Sequence, residues 1–170
     1  MITIRQEKKQ DIEVIRQLNN KAFGQSQEAD IIDKLRNNYN HFLSLVAELD
    51  NKIVGHILFT PVIIEADKVA IEGVGLAPMA VLPKYQKQGI GSILVIKGLE
   101  KVKQSGCPFV IVLGHSEYYP KFGFEPASRY GIRSEWEVPD EAFMIVVFDK
   151  SKLQGISGVA KYRSEFAEAM

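Results

Sequence analysis

The chain has 170 residues, 46% of them hydrophobic and 25% charged, the proportions of an ordinary globular protein long enough to bury a core without cross-links. Its 21 basic residues balance its 21 acidic ones, which argues against a general nucleic-acid binder. The one cysteine, Cys107, excludes an internal disulfide. No apolar run reaches membrane-spanning length and no charged-then-apolar leader opens the chain, so the cytoplasm is the expected location, with no membrane partner.

Met1–Arg5 alternates briefly and predicts a short strand. From Asp11 onward, Ile12, Ile15, Leu18, Ala22 and Phe23 fall on one helical face. A second helix is predicted over Glu28–Asn38, burying Ala29, Ile32 and Leu35, with Ser26 as its N-cap. Phe42–Glu48 reads as a strand, Asp50-Asn51-Lys52 as a turn, and Ile53–Phe59 as the returning partner, continued past Pro61 by Val62–Glu65. A turn at Asp67-Lys68 leads to a strand over Val69–Val81. Pro78 lies inside it, and because proline cannot donate to a ladder the strand is expected to splay open near Met79. An amphipathic helix comes next, over Gly89–Gln104. Gly98 in its interior costs about 1 kcal/mol relative to alanine and permits close packing on the sheet. Phe109–Leu113 is a continuous apolar run of the kind found in central parallel strands, and Ala142–Phe148 is another buried strand. The tail, Tyr162–Ala169, is weakly patterned. No repeat or linker interrupts the chain, so residues 1–170 are expected to form one domain: antiparallel strands first, then a strand–helix–strand crossover.

The most informative segment is Val81-Leu82-Pro83-Lys84-Tyr85-Gln86-Lys87-Gln88-Gly89-Ile90-Gly91. It carries an apolar strand through a glycine-rich loop directly into a helix. That order turns bare backbone N–H groups, at the positive end of a helix dipole, toward an approaching anion. Glycines let a ligand come close to the backbone. Two common nucleotide motifs are excluded. A dinucleotide fingerprint needs a third glycine where Leu94 stands, and a P-loop needs Gly-Lys-Ser/Thr where Gly91-Ser92-Ile93 stands.

What remains, Gln86-x-x-Gly89-x-Gly91 preceded by Pro83 and Tyr85, resembles the signature of the GNAT family of acyl-CoA-dependent N-acetyltransferases. A second signature of that family, Tyr-x-x-x-Gly-Phe, fits Tyr119-Pro120-Lys121-Phe122-Gly123-Phe124. The longer string from Leu113 to Phe124 is similar to the YhbS-like branch. The resemblance implies an α/β fold of mixed α+β topology. Its central, mostly antiparallel sheet would have six or seven strands, a V-shaped splay between the fourth and fifth, and helices on both faces. It implies acetyl-CoA as cosubstrate, an amine as acceptor and no metal. Met79, Ala80 and Val81 would hydrogen-bond the pantetheine arm through their backbone. Lys87, Gln88, Gly89, Ile90, Gly91 and Ser92 would cradle the pyrophosphate, with Lys84 and Lys87 adding charge. Relatives of this kind are often homodimers, and the C-terminal tail offers a surface for that contact.

Tyr119 aligns with the tyrosine that many of these enzymes use as general acid. A neutral phenol beside the sulfur suits the job, since a thiolate must leave. Tyr118 either assists or only packs. The general base is open. Some relatives place a glutamate where this chain has Gly75, leaving Glu72, Glu117, His115 or an ordered water as candidates. Relatives often carry an asparagine upstream of the tyrosine, and Gly114-His115-Ser116-Glu117 has none. His41 and His56 have no partner at metal-binding spacing and read as structural or surface groups. Cys107 reads as a packed residue, and Trp136 either lines a substrate mouth or packs over the sheet. Two other functional classes stay open: an acyl-CoA-binding module without turnover, and a partner-binding domain without cofactor.

Overall fold

Asp50 and Asn51 both take positive φ, 51° and 64°, as a two-residue hairpin turn requires if its twist is to match that of the strands it joins. In this computed structural model, which describes residues 1–38 and 43–169, the turn links β2 (Leu43–Leu49) to β3 (Lys52–Ala66). His41, and Phe42 at the expected start of the strand, lie outside the described residues. β3 runs unbroken through Pro61. The chain packs as two compact units. The first comprises residues 1–59, 77–98 and the segment from Ser164 onward; the second comprises 60–76 and 99–163. β3 and β4 (Ala70–Val81) pass through both.

In the first unit, β1 (Ile2–Gln6) pairs antiparallel with β2, which pairs antiparallel with β3. The second pairing contains a bulge. Ala47 faces Gly55 but Glu48 faces Ile53, so Val54 is the extra residue. The bulge breaks the alternation of side chains. Ile53 packs with Ile15 and Leu18 of α1 (Ile12–Phe23), while Gly55 faces Ile90 and Leu94 of α3 (Ile90–Gln104). α2 (Gln27–Asn38) buries Ala29, Ile31, Ile32 and Leu35 and begins just after Ser26. α3 sits hard against β3. A Cβ on Gly98 would lie 2.4 Å from the Phe59 ring, and one on Gly55 would lie 3.0 Å from Leu94 Cδ1. Gly98 therefore serves the close packing expected of it, because real Cβ contacts do not reach 2.4 Å.

In the second unit, β5 (Phe109–Leu113) lies parallel to β4 through only two positions, Val74–Val110 and Gly75–Ile111. All five β5 residues pair antiparallel with β8 (Phe143–Val147). The described residues form nine strands where six or seven were expected, and three of the short ones are β6 (Glu125–Pro126) on β8, β7 (Ile132–Ser134), and β9 (Gly158–Tyr162) between β3 and β7. They are too short to alternate visibly, and their partners are distant in sequence. α4 (Lys150–Leu153) is a single turn capped by Asp149. Phe109, Ile111, Phe143, Ile145, Val62 and Ile64 form the core of this unit. Cys107 packs as expected: its thiol donates to the Phe109 carbonyl at 3.3 Å, and burial pushes its pKa up.

His56 is wholly buried on β3. Its Nε2 lies 2.8 Å from Ser44 Oγ and its Nδ1 3.4 Å from the Asn19 amide nitrogen, which also donates to the Ile15 carbonyl. An amide N–H can only donate, so Nδ1 accepts and Nε2 carries the proton toward Ser44. Burial, reinforced by the charge of Arg36, pushes the imidazole down to about 3. The folded protein thus holds His56 neutral, whereas the unfolded chain protonates it near 6.5. The stabilisation is complete above that value and is lost as pH falls below it. Asp11, held low by Arg5, titrates beneath this window. Chemical denaturation is expected to show about 1 kcal/mol less stability at about pH 5.5 than at about pH 7.5, and a His56→Gln variant is expected to lack most of that loss.

Candidate active site

β4 ends at Val81, and two hydrogen bonds hold the loop beyond it in place. The Leu82 N–H donates to the carbonyl of Val54, the bulged residue, at 2.9 Å. The Gln86 side-chain amide reaches back to donate to the Val81 carbonyl, also at 2.9 Å. Between them Pro83–Tyr85 forms one 3-10 turn, closed by the Tyr85 N–H on the Leu82 carbonyl at 2.8 Å. Lys52 Nζ lies 5.6 Å over the Tyr85 ring. Lys87 and Gly89 then take left-handed backbone, φ 64° and 86°, and α3 starts at Ile90.

The first regular bond of α3 runs from the Ile93 N–H to the Gly89 carbonyl at 3.1 Å. The N–H groups of Ile90, Gly91 and Ser92 therefore precede the helical ladder, as the first donors of any helix do. A Cβ on Gly89 would meet nothing within 4 Å, so the glycine answers to its φ and to the open space before the helix rather than to neighbouring atoms. Lys84, Lys87 and Gln88 are exposed around the loop. Ala80 is buried against α1, while Met79 and Val81 are partly exposed on β4. Gln86 as a latch and Val54 as a bulge were not visible in the sequence. The first hid inside a motif residue, and the second is an ordinary strand valine.

Tyr119 opens a 3-10 turn, Tyr119–Phe122, that ends in left-handed Gly123 (φ 98°). This gives the second signature a physical reading: the turn needs the glycine, and Phe124 packs edge-on against Tyr119 with ring centroids 5.6 Å apart. A Cβ on Gly114 would lie 2.5 Å from Tyr119 Cε2, so that glycine makes room for the ring. The N–H groups of both Tyr118 and Tyr119 are held by the His115 carbonyl, at 3.1 and 3.3 Å. Tyr118 stacks edge-on to Tyr119 at 5.1 Å and carries Lys121 Nζ 4.1 Å over its own ring. Tyr119 is 8% exposed. Burial, with a smaller push from Tyr118, raises its hydroxyl to about 12.

The base candidates separate by position. Glu72 is exposed near the start of β4, close enough to raise the Cys107 thiol. Gly114 lies six strand positions further along the parallel pair, roughly 20 Å away, so Glu72 cannot act beside Tyr119. Gly75 has no room for a carboxylate: a Cβ there would lie 2.8 Å from Val62 and 3.0 Å from the Tyr162 ring. His115 and Glu117 are exposed in the turn that holds Tyr119. Among the described residues, no group of three or more His, Cys, Asp or Glu gathers as a metal site, and no helix is long and apolar enough to cross a membrane.

A family model described as an acetyltransferase (GNAT) domain matches residues 3–127. YjhQ of Escherichia coli strain K12, described as an uncharacterized N-acetyltransferase, is 40% identical over 136 residues, spanning 78% of this chain and 75% of that protein. YhbS of the same strain, described likewise, is 32% identical over 147 residues, spanning 86% and 87%. The crystal structure of E. coli YhbS in complex with CoA matches with a TM-score of 0.90 at 32% identity, over 98% of this chain and 92% of that one. A GNAT family acetyltransferase from Brucella melitensis in complex with acetyl-CoA matches with a TM-score of 0.78 at 32% identity, over 98% of each chain.

The Gln86 latch has a measurable consequence. One such hydrogen bond contributes about 1 kcal/mol. Gln86→Ala is expected to raise amide hydrogen exchange at Tyr85 and Gln86 roughly five-fold while leaving the interior of α3 unchanged.

Proposed function

The chain belongs to the GNAT N-acetyltransferase family, and we propose that it moves an acetyl group from acetyl-CoA to a primary amine by direct attack, with Tyr119 as general acid. The observation that carries this reading is the start of α3, where the donors of Ile90, Gly91 and Ser92 stand beyond a left-handed glycine with open space above it. A diphosphate suits that place, since it takes the N–H groups and the positive end of the helix dipole together.

Acetyl-CoA supplies the acetyl group already activated as a thioester. Lys87, Gln88, Gly89, Ile90, Gly91 and Ser92 would bind its pyrophosphate, and exposed Lys84 and Lys87 would add charge. Met79, Ala80 and Val81 offer an extended backbone to the pantetheine arm. The Val81 carbonyl is taken by Gln86, so Val81 would contribute through its N–H. Tyr119 keeps its proton at every working pH, because burial holds its hydroxyl at about 12. It is therefore a donor and not a base, which fits protonation of a departing sulfur. Direct attack is favoured over a covalent acyl-enzyme. Cys107 precedes β5 whereas Tyr119 lies beyond it, and its raised pKa makes it a poor nucleophile. A single acetyltransferase domain, a cytoplasmic location and a homodimer complete the reading.

One observation favours a second reading, an acyl-CoA-binding module without turnover. The carboxylate that some relatives place on this strand is missing at Gly75, and the Tyr162 ring fills its place. An acetyl-CoA thiol-release screen across amine classes separates the two, since a module binds CoA but releases no thiol with any amine.

Gly89→Ala is expected to weaken CoA binding five- to ten-fold by calorimetry, because a left-handed alanine costs about 1 kcal/mol or more. Tyr119→Phe is expected to lower kcat about 100-fold while changing KM for acetyl-CoA less than about three-fold. Unchanged turnover would remove Tyr119 from the chemistry.

A further inference from the structure

The parallel pairing of β7 with β9 sets Ser134 beside Ala160. The next residues of each strand therefore come together: Glu135 with Lys161, and Trp136 with Tyr162. Glu135 Oε1 accepts the Tyr162 N–H at 3.0 Å, and Oε2 lies 3.9 Å from Lys161 Nζ. The Trp136 and Tyr162 rings are 5.1 Å apart and tilted by 45°. Both residues are partly exposed, and the Trp136 N–H is fixed by Ser134 Oγ at 3.0 Å. Tyr162 lies over Gly75, whose missing side chain makes the room, while its hydroxyl is buried. The Tyr162 and Tyr119 hydroxyls are close enough for the ionisation of one to oppose that of the other, so this aromatic corner stands near the proposed acid.

Two partly exposed aromatic rings beside a carboxylate suit a particular kind of ligand. Ring faces attract a cation, and a carboxylate attracts it more strongly where water is partly excluded. The Glu135 side chain is 21% exposed, so its charge is only partly screened. Its existing partner, Lys161, is 43% exposed and held by one long contact, which is weak competition. An anion or a neutral acyl group would gain nothing from this set.

We propose that Glu135, Trp136 and Tyr162 form the acceptor site, and that they recognise a primary organic ammonium. The ammonium sits against the ring pair and the Glu135 carboxylate. This rests on the acetyltransferase reading, but it is tested by binding alone. The same headgroup is carried by free amines and by lysine side chains.

Trp136 is the only tryptophan of the chain, so its fluorescence reports this corner directly. The wild-type protein is titrated with 2-phenylethylammonium, with its neutral N-acetyl counterpart, and with Nα-acetyl-lysine amide. A saturable change is expected with the charged probes, at least about ten-fold tighter than with the neutral one. The tighter of the two charged probes identifies the source of the headgroup. Glu135→Gln keeps an oxygen for the Tyr162 N–H, so β9 stays paired. It is expected to weaken charged-probe binding about five-fold or more, with CoA affinity by calorimetry within about two-fold of wild type. Lys161→Met removes the competing cation and is expected to tighten binding. Equal responses to charged and neutral probes, no response at all, or a Glu135→Gln or Lys161→Met protein that binds the charged probes as wild type does would each overturn the proposal. Loss of CoA binding in the wild type would instead overturn the acetyltransferase reading.

Discussion

The hydrogen bond from the Leu82 N–H to the bulged Val54 carbonyl is the contact on which the candidate site depends. A regular ladder would have given Val54 a partner on β2. The bulge leaves it without a register partner, and its carbonyl takes the first residue after β4. The end of one strand is thereby fixed to its neighbour just where the chain turns toward α3. Gln86 closes the same turn from the other side. The donors at the start of α3 are thus presented by a clamped loop, so little ordering remains to be done when an anion arrives.

Glycines set the geometry twice over, by absent side chains as much as by backbone freedom. Gly55 and Gly98 let α3 approach β3 closely enough to touch Phe59, which fixes the height of the helix and of its first turn. Gly114 seats the Tyr119 ring, and Gly75 seats the Tyr162 ring. In the second case the absence has a chemical consequence. Where a longer residue would place a carboxylate on β4, an aromatic ring from β9 stands instead. In the proposed reaction Tyr119 is the acid, and the candidates left for the base are the exposed turn at His115–Glu117 and solvent.

The long elements were legible in the sequence because each carries its own period. α1, α2 and α3 show apolar faces at helical spacing, and β5 and β8 are short continuous apolar runs. Both glycine-bearing signatures were legible for a related reason: left-handed backbone at Gly89 and Gly123 demands a residue type that stands out in any sequence. What escaped was non-local. β6, β7 and β9 have two to five residues and draw their stability from distant partners. The Val54 bulge leaves no mark on composition. The pairing of Trp136 with Tyr162 depends on a parallel contact between β7 and β9, two strands that the periodicity did not show. His56 read as structural or surface, and full burial on β3 decides it as structural.

The central claim is that the backbone from Lys87 to Ser92 grips a diphosphate. Backbone amide NMR during titration with CoA, set against titration with pantetheine, which lacks the pyrophosphate, tests it most directly. Large downfield amide shifts at Gly89, Ile90, Gly91 and Ser92 with CoA, absent with pantetheine, are the expected result. CoA binding that leaves those four amides unmoved, or that moves them no more than pantetheine does, would contradict it.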